Sequence, residues 1–295
     1  MRKLLCLLVA LAVSTASAEE IRFLAYNLQN YFTSKSGDNS SANTPKPDRA
    51  IAALVGIIAS EKPDIIGVCE MGSLDDFHNL LTRLKNAGVD LPHIEYVQAL
   101  DPSRHVALAS RFPISARNSQ AHLSFDLGGQ KQYFKRGILD VTVDVAPGYS
   151  LHFVGTHLKS RRDVPEDQSL VRRSEAHLLR LHAKAILQEN PAARLIVYGD
   201  LNDTPNEAPI REIIGQKRTP DYLKPVDLRD ANGEKWTHYW KIADSYSRID
   251  YVLVSPAATK NVRATESHIA SPPNWNEASD HRPLVVVFKV PPSAQ

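Results

Sequence analysis

The sequence is short of cysteine, and this shortage limits how the fold can be stabilised. Its 295 residues include two cysteines, Cys6 and Cys69, and Cys6 lies in an N-terminal segment that we expect to be removed. No intramolecular disulfide can then form, so the fold must depend on burial of apolar side chains, for which the chain is large enough. Cys69 follows the apolar residues 65–68, and we expect a buried small side chain rather than a nucleophile.

The sequence also has no apolar run of the length, about 20 residues, that crosses a membrane. The N-terminus instead carries Arg2 and Lys3, an apolar core over residues 4–13, and an end of the form Ala16-x-Ala18. This pattern is typical of a secretory signal peptide over residues 1–18 and predicts cleavage after Ala18. We expect an exported protein, periplasmic or secreted, without a stable membrane anchor. We also expect a monomer with one domain over residues 19–295.

A third shortage is net charge. Removal of residues 1–18 takes Arg2 and Lys3 away and lowers the formal net charge from +2 to 0. A neutral protein has no overall field that attracts nucleic acid, so any anionic substrate has to be held by a local basic cluster.

The sequence does contain a mixture of helical and strand patterns along its whole length. Apolar residues recur at helical spacing over 48–61, 73–87 and 168–189, and Ser73 is placed to cap the second helix. Apolar or alternating runs predict strands at 21–26, 64–69, 93–99, 106–110, 138–145, 151–156, 195–198, 249–254 and 284–290. Residues 33–47 predict a loop. The mixture indicates an α/β or α+β fold of sheets with flanking helices.

Polar side chains recur where the predicted strands end or begin. They are Asn27, Glu70, His157, Asp200 with Asn202, Asp250, and Asp280 with His281. The Asn and Asp residues among them are ordinary turn formers, but loops at one edge of a sheet commonly converge on a single site. Carboxylate and amide oxygens suit Mg²⁺, Mn²⁺ or Ca²⁺, whereas no compact His/Cys set indicates zinc.

Eight stretches of the sequence, which contain these polar residues, resemble the endonuclease/exonuclease/phosphatase superfamily, whose fold is that of deoxyribonuclease I. The matching stretches occur in the family's order over nearly the whole mature chain and read "FLAYNLQNYF", "PDIIGVCEMG", "HVALASRFPI", "KRGILDV", "GTHLKSRR", "VYGDLND", "SRIDYVLVS" and "SDHRPLVV". The resemblance implies one catalytic domain, built as a four-layer sandwich of two packed mixed β-sheets flanked by helices. It also implies metal-dependent hydrolysis of phosphate esters, with Mg²⁺ as the expected cofactor and Mn²⁺ or Ca²⁺ as alternatives.

The resemblance further implies a role for each matching residue. The expected metal ligands are Glu70, Asn27 and Asp280. The expected catalytic residues are Asp200, which orients or deprotonates water, Asn202, which touches the phosphate or the water, His281 with its partner Asp250, and His157, which donates to the phosphate or the leaving group. The expected substrate-binding residues are Arg136, Lys159 and Arg161, with Arg162 as a possible fourth. Gln29 stands where some relatives carry an acid, so the number of metal ions stays open.

Several functions remain compatible with the sequence. The leading hypothesis is a nuclease that hydrolyses DNA or RNA by metal-assisted in-line attack of water. A sphingomyelinase-like enzyme or an inositol- or sugar-phosphate phosphatase would keep the chemistry and change the substrate. A non-catalytic phosphate-binding module is the alternative from another class. The aromatic residues Trp236, Tyr239 and Trp240 predict core packing, no clear apolar hairpin for membrane contact is evident, and Asp203 and Thr204 read as turn formers.

Overall fold

The computed structural model describes residues 19–34, 44–161 and 168–291. The predicted signal peptide over residues 1–18, most of the predicted loop over 33–47, and Arg162 lie outside the described residues.

Two large mixed sheets form the centre of the molecule. The strands of the first sheet, in chain order, are β1 Glu19–Tyr31, β2 Ile65–Met71, β3 His93–Val97, β4 His105–Ser110, β15 His268–Ile269 and β16 Leu284–Val290. The strands of the second are β5 Ile114–Arg117, β8 Ile138–Ala146, β9 Tyr149–His157, β10 Leu195–Asp200, β11 Lys224–Pro225 and β14 Asp250–Val254. Two separate hairpins complete the strands: β6 Ser124–Leu127 with β7 Gln130–Tyr133, and β12 His238–Trp240 with β13 Ser245–Ser247.

The strand order explains how distant segments of the chain meet. The first sheet runs β15-β16-β1-β2-β4-β3, and the second runs β11-β14-β10-β9-β8-β5. Strands β1 and β2 pair in parallel, as do β9 and β10, so the ends of both strands in each pair reach the same edge. Strand β16 runs antiparallel to β1, and β14 runs antiparallel to β10, so the starts of β14 and β16 reach that edge too.

Helices cover the outer face of each sheet and complete four layers. They are α1 Asp48–Glu61, α2 Leu74–Asn86, α3 Gln168–Glu189, α4 Ala208–Ile214, α5 Pro256–Thr259 and α6 Trp275–Ala278. Helices α1 and α2 pack on the first sheet, while α3 and α4 pack on the second. The expected α/β sandwich of two mixed sheets flanked by helices is therefore confirmed. Ser73 caps α2 as predicted, because its hydroxyl accepts a hydrogen bond from the backbone N–H of Asp76.

The apolar core between the two sheets is closely packed around Tyr198. Tyr198 of β10 is 1% exposed and lies against Gly67 of β2 and Gly155 of β9. A Cβ atom at either glycine would overlap the Tyr198 ring, so both positions need the missing side chain. Cys69 is buried and free, as expected, and its Sγ donates to the carbonyl of Thr156 at 3.4 Å.

Candidate active site

The polar residues at the strand boundaries do converge on one edge of the sandwich. Asp200 ends β10 and lies in register with His157 at the end of β9 and with Asp250 at the start of β14. On the facing sheet, Asn27 of β1 lies in register with Cys69 of β2, next to Glu70. The amide nitrogen of Asn27 donates to Asp200 Oδ2 at 3.0 Å, which joins the two sheets across the site.

Local backbone irregularities orient the side chains of Asn27 and Glu70. The β1–β2 register shifts between Asn27 and Tyr31, where Gln29 and Asn30 have positive φ angles of 49° and 58°. Glu70 also has a positive φ, 57°, inside β2. Bulges of this kind re-aim side chains near functional sites, and positive φ costs energy at residues other than glycine. The backbone N–H of Asn30 donates to Glu70 Oε2 at 3.0 Å and holds the carboxylate in place.

His281 and Asp250 form a tightly bonded buried pair. His281 Nδ1 lies 2.8 Å from Asp250 Oδ2, and the opposite nitrogen, Nε2, lies 3.8 Å from Asp200 Oδ2. Burial opposes a charge on His281, but the Asp250 carboxylate outweighs it and raises the pKa of His281 to about 10. The backbone N–H groups of Ile249 and Asp250 both donate to Thr237 Oγ1 at 3.1 Å, which fixes the start of β14.

Asp200 lies at the centre of the cluster and is 3% exposed. Its Oδ2 lies 3.5 Å from His157 Nε2, and its Oδ1 accepts the backbone N–H of Asn202 at 2.9 Å. Burial and, secondly, the charge of Asp250 raise the pKa of Asp200 to about 7. The carboxyl group is therefore suited to accept a proton near neutral pH.

His157 is 2% exposed and carries no formal charge in this environment. Burial and the positive charge of Arg136 hold its pKa well below the usual range. Its Nε2 faces Asp200 and lies 4.0 Å from Glu70 Oε1, while Nδ1 is buried with no hydrogen-bond partner among the described residues. Because the imidazole is neutral and Nε2 faces the carboxylates of Asp200 and Glu70, we assign the ring proton of His157 to Nε2.

Asn202 and Arg136 meet at one backbone carbonyl. Asn202 Nδ2 donates to the carbonyl of Leu158 at 3.0 Å, and Arg136 Nη1 donates to the same oxygen at 3.0 Å. Arg136 Nε also pairs with Asp101 Oδ2 at 3.1 Å. Asn202 has a positive φ of 51°, which turns the chain sharply after β10. Arg136 is therefore held rigidly beside His157 rather than extended into solvent.

The remaining predicted basic residues follow β9. Arg161 Nη2 lies 2.7 Å from Asp203 Oδ1, so its guanidinium is already engaged with a buried carboxylate. The prediction that Asp203 only forms a turn was too narrow, because Asp203 is 2% exposed and also pairs with the buried Arg172 at 2.9 Å. Lys159 lines a cavity beside Glu70, and its backbone N–H donates to Glu175 Oε2 at 2.6 Å.

The sequence model of the endonuclease/exonuclease/phosphatase family matches residues 24–281 and spans every part of this site. The chain belongs to this family. No curated protein matches the chain in sequence. Members of the family are hydrolases that act on phosphoric esters, and they generally use divalent metal ions.

Several solved structures share the fold at low sequence identity. The human nocturnin catalytic domain with a bound sulfate anion is 20% identical with a TM-score of 0.64, and the match covers 92% of this chain and 97% of that one. A truncated TDP2 from Caenorhabditis elegans is 18% identical with a TM-score of 0.62, covering 92% and 98%. Sphingomyelinase C from Streptomyces griseocarneus is 15% identical with a TM-score of 0.59, covering 92% and 100%. These likenesses show the fold alone.

The oxygen donors beside Glu70 fit the divalent ion that the family uses. Glu70 Oε1 accepts no hydrogen bond from a described residue, and the Oδ1 atom of the neighbouring Asn30 is buried without a partner among them. The amide oxygen of Asn27 is also near, with one lone pair used by the backbone N–H of Gln29. Such a set of carboxylate and amide oxygens suits a hard cation.

The carboxylate of Asp280, the third predicted ligand, lies beside two imidazoles. Its carboxylate is 3.9 Å from His281 Nε2 and 3.8 Å from His238 Nε2. These three side chains form one of two groups among the described residues whose ligand atoms lie within 4.8 Å of one another, and the other is Asp200, Asp250 and His281. His238 carried no signal in the sequence, because it belongs to a hairpin that the sequence did not predict.

That hairpin overturns two expectations. Strands β12 and β13, with the turn over residues 241–244, form what we call the aromatic hairpin. Trp240 is 53% exposed, Tyr246 55% and Ile242 90%, so Trp240 does not pack in the core and an exposed apolar hairpin does exist. The backbone N–H of Tyr239 donates to the carbonyl of Asp280 at 2.9 Å, which attaches the hairpin to the rim of the site.

Three basic residues near the site were missed by sequence reasoning. Lys46 Nζ donates to the carbonyl of Gln29 at 3.2 Å, and burial lowers the pKa of Lys46 to about 8. Arg104 and Lys135 line the same cavity as Lys159. Lys135 directly precedes Arg136, so its position could have been noticed, whereas nothing in the pattern around Lys46 or Arg104 points to the site. No helix in the described ranges is long and apolar enough to cross a membrane.

Proposed function

We propose that this protein is a divalent-metal-dependent phosphodiesterase that cleaves nucleic acid by in-line attack of water. The observation that carries the proposal is the position of Asp200. Its Oδ2 lies 3.5 Å from His157 Nε2, 3.8 Å from His281 Nε2 and 3.0 Å from the Asn27 amide nitrogen. A carboxylate so placed, between two imidazoles and a ligand of the metal, can orient a water and accept its proton.

The roles of the other side chains follow from their positions. Asp250 fixes the orientation of His281 through Nδ1, which leaves Nε2 free to hold a phosphate oxygen. His157 presents its neutral N–H to the same space and can donate to a phosphate oxygen or to the leaving group. Asn202 is anchored to the Leu158 carbonyl, so its side-chain oxygen has a fixed position beside Asp200.

Glu70, Asn27 and Asp280 are the residues that would hold the metal ion. When bound, the ion supplies charge neutralisation for the phosphate and the leaving oxygen. Glu70 contributes a carboxylate from β2 of the first sheet, and its oxygen Oε1 accepts no hydrogen bond from a described residue, with His157 Nε2 4.0 Å away.

Nucleic acid is our first choice of substrate because both basic and exposed aromatic side chains lie next to residues of the site. Arg104, Lys135 and Lys159 lie beside Glu70, while Trp240 and Tyr246 are exposed on the aromatic hairpin beside Asp280. Single-stranded nucleic acid is commonly held by such a combination of backbone charge contacts and base stacking.

A panel of substrates tests this assignment. Plasmid DNA, RNA, sphingomyelin vesicles and inositol phosphates would each be incubated with Mg²⁺ and with a chelator, using His281→Ala as the inactive control. We expect metal-dependent cleavage of DNA or RNA. Turnover only of the inositol phosphates would move the function to a phosphomonoesterase, and binding without turnover of any substrate would favour the non-catalytic module.

A sphingomyelinase-like activity is the second candidate, and the aromatic hairpin favours it. Ile242 at the tip is 90% exposed, with Lys241 next to it, a combination suited to contact with a lipid surface. A sphingomyelinase C has the same fold, but that likeness shows the fold alone. Hydrolysis of sphingomyelin in vesicles together with inertness toward DNA and RNA would select this candidate.

We propose in addition that the protein is exported and monomeric. The N-terminal pattern of residues 1–18 supports export. N-terminal sequencing of protein recovered from outside the cytoplasm should give Glu19 as the first residue. Retention of Met1 would contradict the proposal.

A further inference from the structure

A basic cavity lies directly beside Glu70, outside the catalytic cluster. It has a volume of about 220 Å³ and is lined, among others, by Glu70, Arg104, Lys135, Arg136, Lys159 and Glu175. None of His157, Asp200, Asn202, Asp250 or His281 lines it. The cavity therefore borders the catalytic cluster through Glu70 and shares none of those five side chains with it.

Three loops build this cavity. Arg104 comes from the loop before β4, Lys135 and Arg136 from the turn before β8, and Lys159 from the segment after β9. Arg136 joins them, because it pairs with Asp101 at 3.1 Å and donates to the Leu158 carbonyl at 3.0 Å. An ion pair and a hydrogen bond of Arg136 thus hold the three loops together in the absence of a ligand.

Two of the cations in this wall have no carboxylate of a described residue within ion-pair distance, although the charge of Arg104 does act on Asp101 and helps to lower its pKa. Arg104 and Lys135 form no side-chain ion pair or hydrogen bond within residues 19–34, 44–161 and 168–291, whereas Arg136 is paired with Asp101. Lys135 is exposed and Arg104 is half-buried, so both can reach a ligand in the cavity.

The wall holds four cations, Arg104, Lys135, Arg136 and Lys159, against three carboxyl groups, those of Glu70, Asp101 and Glu175. Asp101 accepts hydrogen bonds from the backbone N–H groups of Ser103 and Arg104 as well as from Arg136. Glu175 accepts the backbone N–H of Lys159 at 2.6 Å, and burial raises the pKa of Glu175 to about 7. Glu175 therefore contributes less than a full negative charge near neutral pH, and the cavity keeps a positive surplus.

We propose that this cavity binds a second phosphate group, a phosphomonoester carried by the substrate next to the scissile phosphodiester. A phosphomonoester carries a charge between about −1.5 and −2 near pH 7 and offers three acceptor oxygens. Two unpaired cations, Arg104 and Lys135, match that charge, and a guanidinium suits phosphate geometry. The proposal rests on the proposed function for the scissile bond, but the cavity itself requires only phosphate chemistry. Terminally phosphorylated nucleic acid ends would be the preferred substrates.

Binding of inorganic phosphate tests the cavity independently of catalysis. The titration would be followed by calorimetry in excess chelator, so that no metal ion contributes. We expect the Arg104→Ala/Lys135→Ala double variant to bind phosphate at least tenfold more weakly than the wild type. The double variant Lys131→Ala/Lys217→Ala removes the same charge from exposed sites outside the cavity and should bind like the wild type. Equal binding by the cavity variant and the wild type would overturn the proposal, as would loss of binding in His281→Ala.

A second arm distinguishes a substrate phosphate from free phosphate. Thymidine dinucleotides with no terminal phosphate, a 5′-phosphate or a 3′-phosphate would be compared as substrates with Mg²⁺. We expect one of the phosphorylated forms to have a KM about tenfold lower at similar kcat, and the Arg104→Ala/Lys135→Ala variant to lose this preference. Phosphate binding without any preference would assign the cavity to free phosphate and overturn the substrate claim. Failure of all three dinucleotides to react would count against the proposed function, while the binding arm would still decide the cavity.

Discussion

His281 Nδ1 lies 2.8 Å from Asp250 Oδ2, and this bond links the segment before β16 of the first sheet to the start of β14 in the second sheet. His281 precedes β16, whereas Asp250 starts β14, so the pair forms only when the two sheets pack face to face. Both side chains are less than a tenth exposed. Formation of the His281–Asp250 pair therefore depends on correct packing of the two sheets.

Replacement of Asp250 by Asn should impair turnover without unfolding the protein. The amide cannot supply the negative charge that orients and stabilises the imidazolium of His281, and loss of such a supporting carboxylate typically costs about 10–100-fold. We expect kcat on a small chromogenic phosphodiester to fall by about that factor. Asp227→Asn, which removes a surface carboxylate paired with Lys235, is the matched control. Unchanged kcat in Asp250→Asn would refute the role assigned to the pair.

Replacement of Glu70 by Gln should raise the metal concentration that the enzyme needs. The substitution keeps the shape and removes the charge of the carboxylate that accepts the backbone N–H of Asn30, whose own Oδ1 atom is buried without a partner among the described residues. We expect the Mg²⁺ concentration for half-maximal activity to rise about tenfold or more, with an unchanged circular dichroism spectrum. Glu189→Gln, at the exposed end of α3, provides the control. An identical metal titration for Glu70→Gln would exclude Glu70 as a ligand.

Two glycine-to-alanine substitutions should shift stability in opposite directions. In Gly67→Ala the new Cβ atom would overlap the buried Tyr198 ring, which we expect to cost about 1–3 kcal/mol of unfolding free energy. In Gly56→Ala the new atom would meet nothing within 4 Å on the exposed side of α1, so its better helix propensity should add up to about 1 kcal/mol. Urea unfolding measures both. Equal effects of the two substitutions would contradict the close packing at Tyr198.

Asp140 should make the folded state sensitive to acid. Burial would raise its pKa, but hydrogen bonds to His152 at 2.6 Å and His182 at 2.7 Å outweigh it and lower the pKa to about 2. The pKa of Asp140 is therefore lower in the folded state than in the unfolded chain. Ionised Asp140 adds to the free energy of unfolding above pH 4, and this contribution is lost as the pH falls toward 2. Its size is on the order of 2 kcal/mol.

Urea unfolding between pH 5 and pH 2.5 measures this contribution. We expect Asp140→Asn to be less stable than the wild type at pH 5 and closer to it at pH 2.5. Asp144→Asn, on the solvent-facing part of the same strand, should keep the pH dependence of the wild type. A constant difference between Asp140→Asn and the wild type over this range would refute the assignment.

Truncation of the aromatic hairpin should weaken substrate binding and leave the chemical step intact. Trp240 and Tyr246 are half exposed, and a stacked base is worth about 1–3 kcal/mol when the aromatic side chain is removed. We expect Trp240→Ala to reduce affinity for a single-stranded oligonucleotide about fivefold or more, with unchanged kcat on a small diester. A loss of vesicle binding with no change in oligonucleotide affinity would favour the lipid substrate.

Local sequence patterns were sufficient for the larger elements. The helix predicted over residues 48–61 matches α1, and the one over 168–189 matches α3, because each carries a regular apolar stripe of several turns. The strand-boundary residues Asn27, Glu70, His157 and Asp200 were also found from sequence, since each follows a buried apolar run. Their convergence depends on the parallel β1–β2 and β9–β10 pairs, which no local pattern specifies.

The features that were missed have little local signal. The aromatic hairpin has strands of three residues and a turn, Lys241-Ile-Ala-Asp244, without the Asn-Gly or Gly-rich dipeptides that mark tight turns. Arg104 became notable only when the fold brought it to Lys135, more than thirty residues further along the chain. The positive φ of Glu70 arises from a register shift between β2 and β4 and likewise has no sequence signature.

The most direct test of the central claim is the rate of plasmid DNA cleavage by wild-type protein and Asp200→Asn in Mg²⁺, in excess chelator, and after Mg²⁺ is restored. We expect cleavage by the wild type that stops in chelator and returns with Mg²⁺, and an at least hundredfold lower rate for a folded Asp200→Asn protein. Cleavage that persists in chelator, or that Asp200→Asn performs at the wild-type rate, would contradict the central claim.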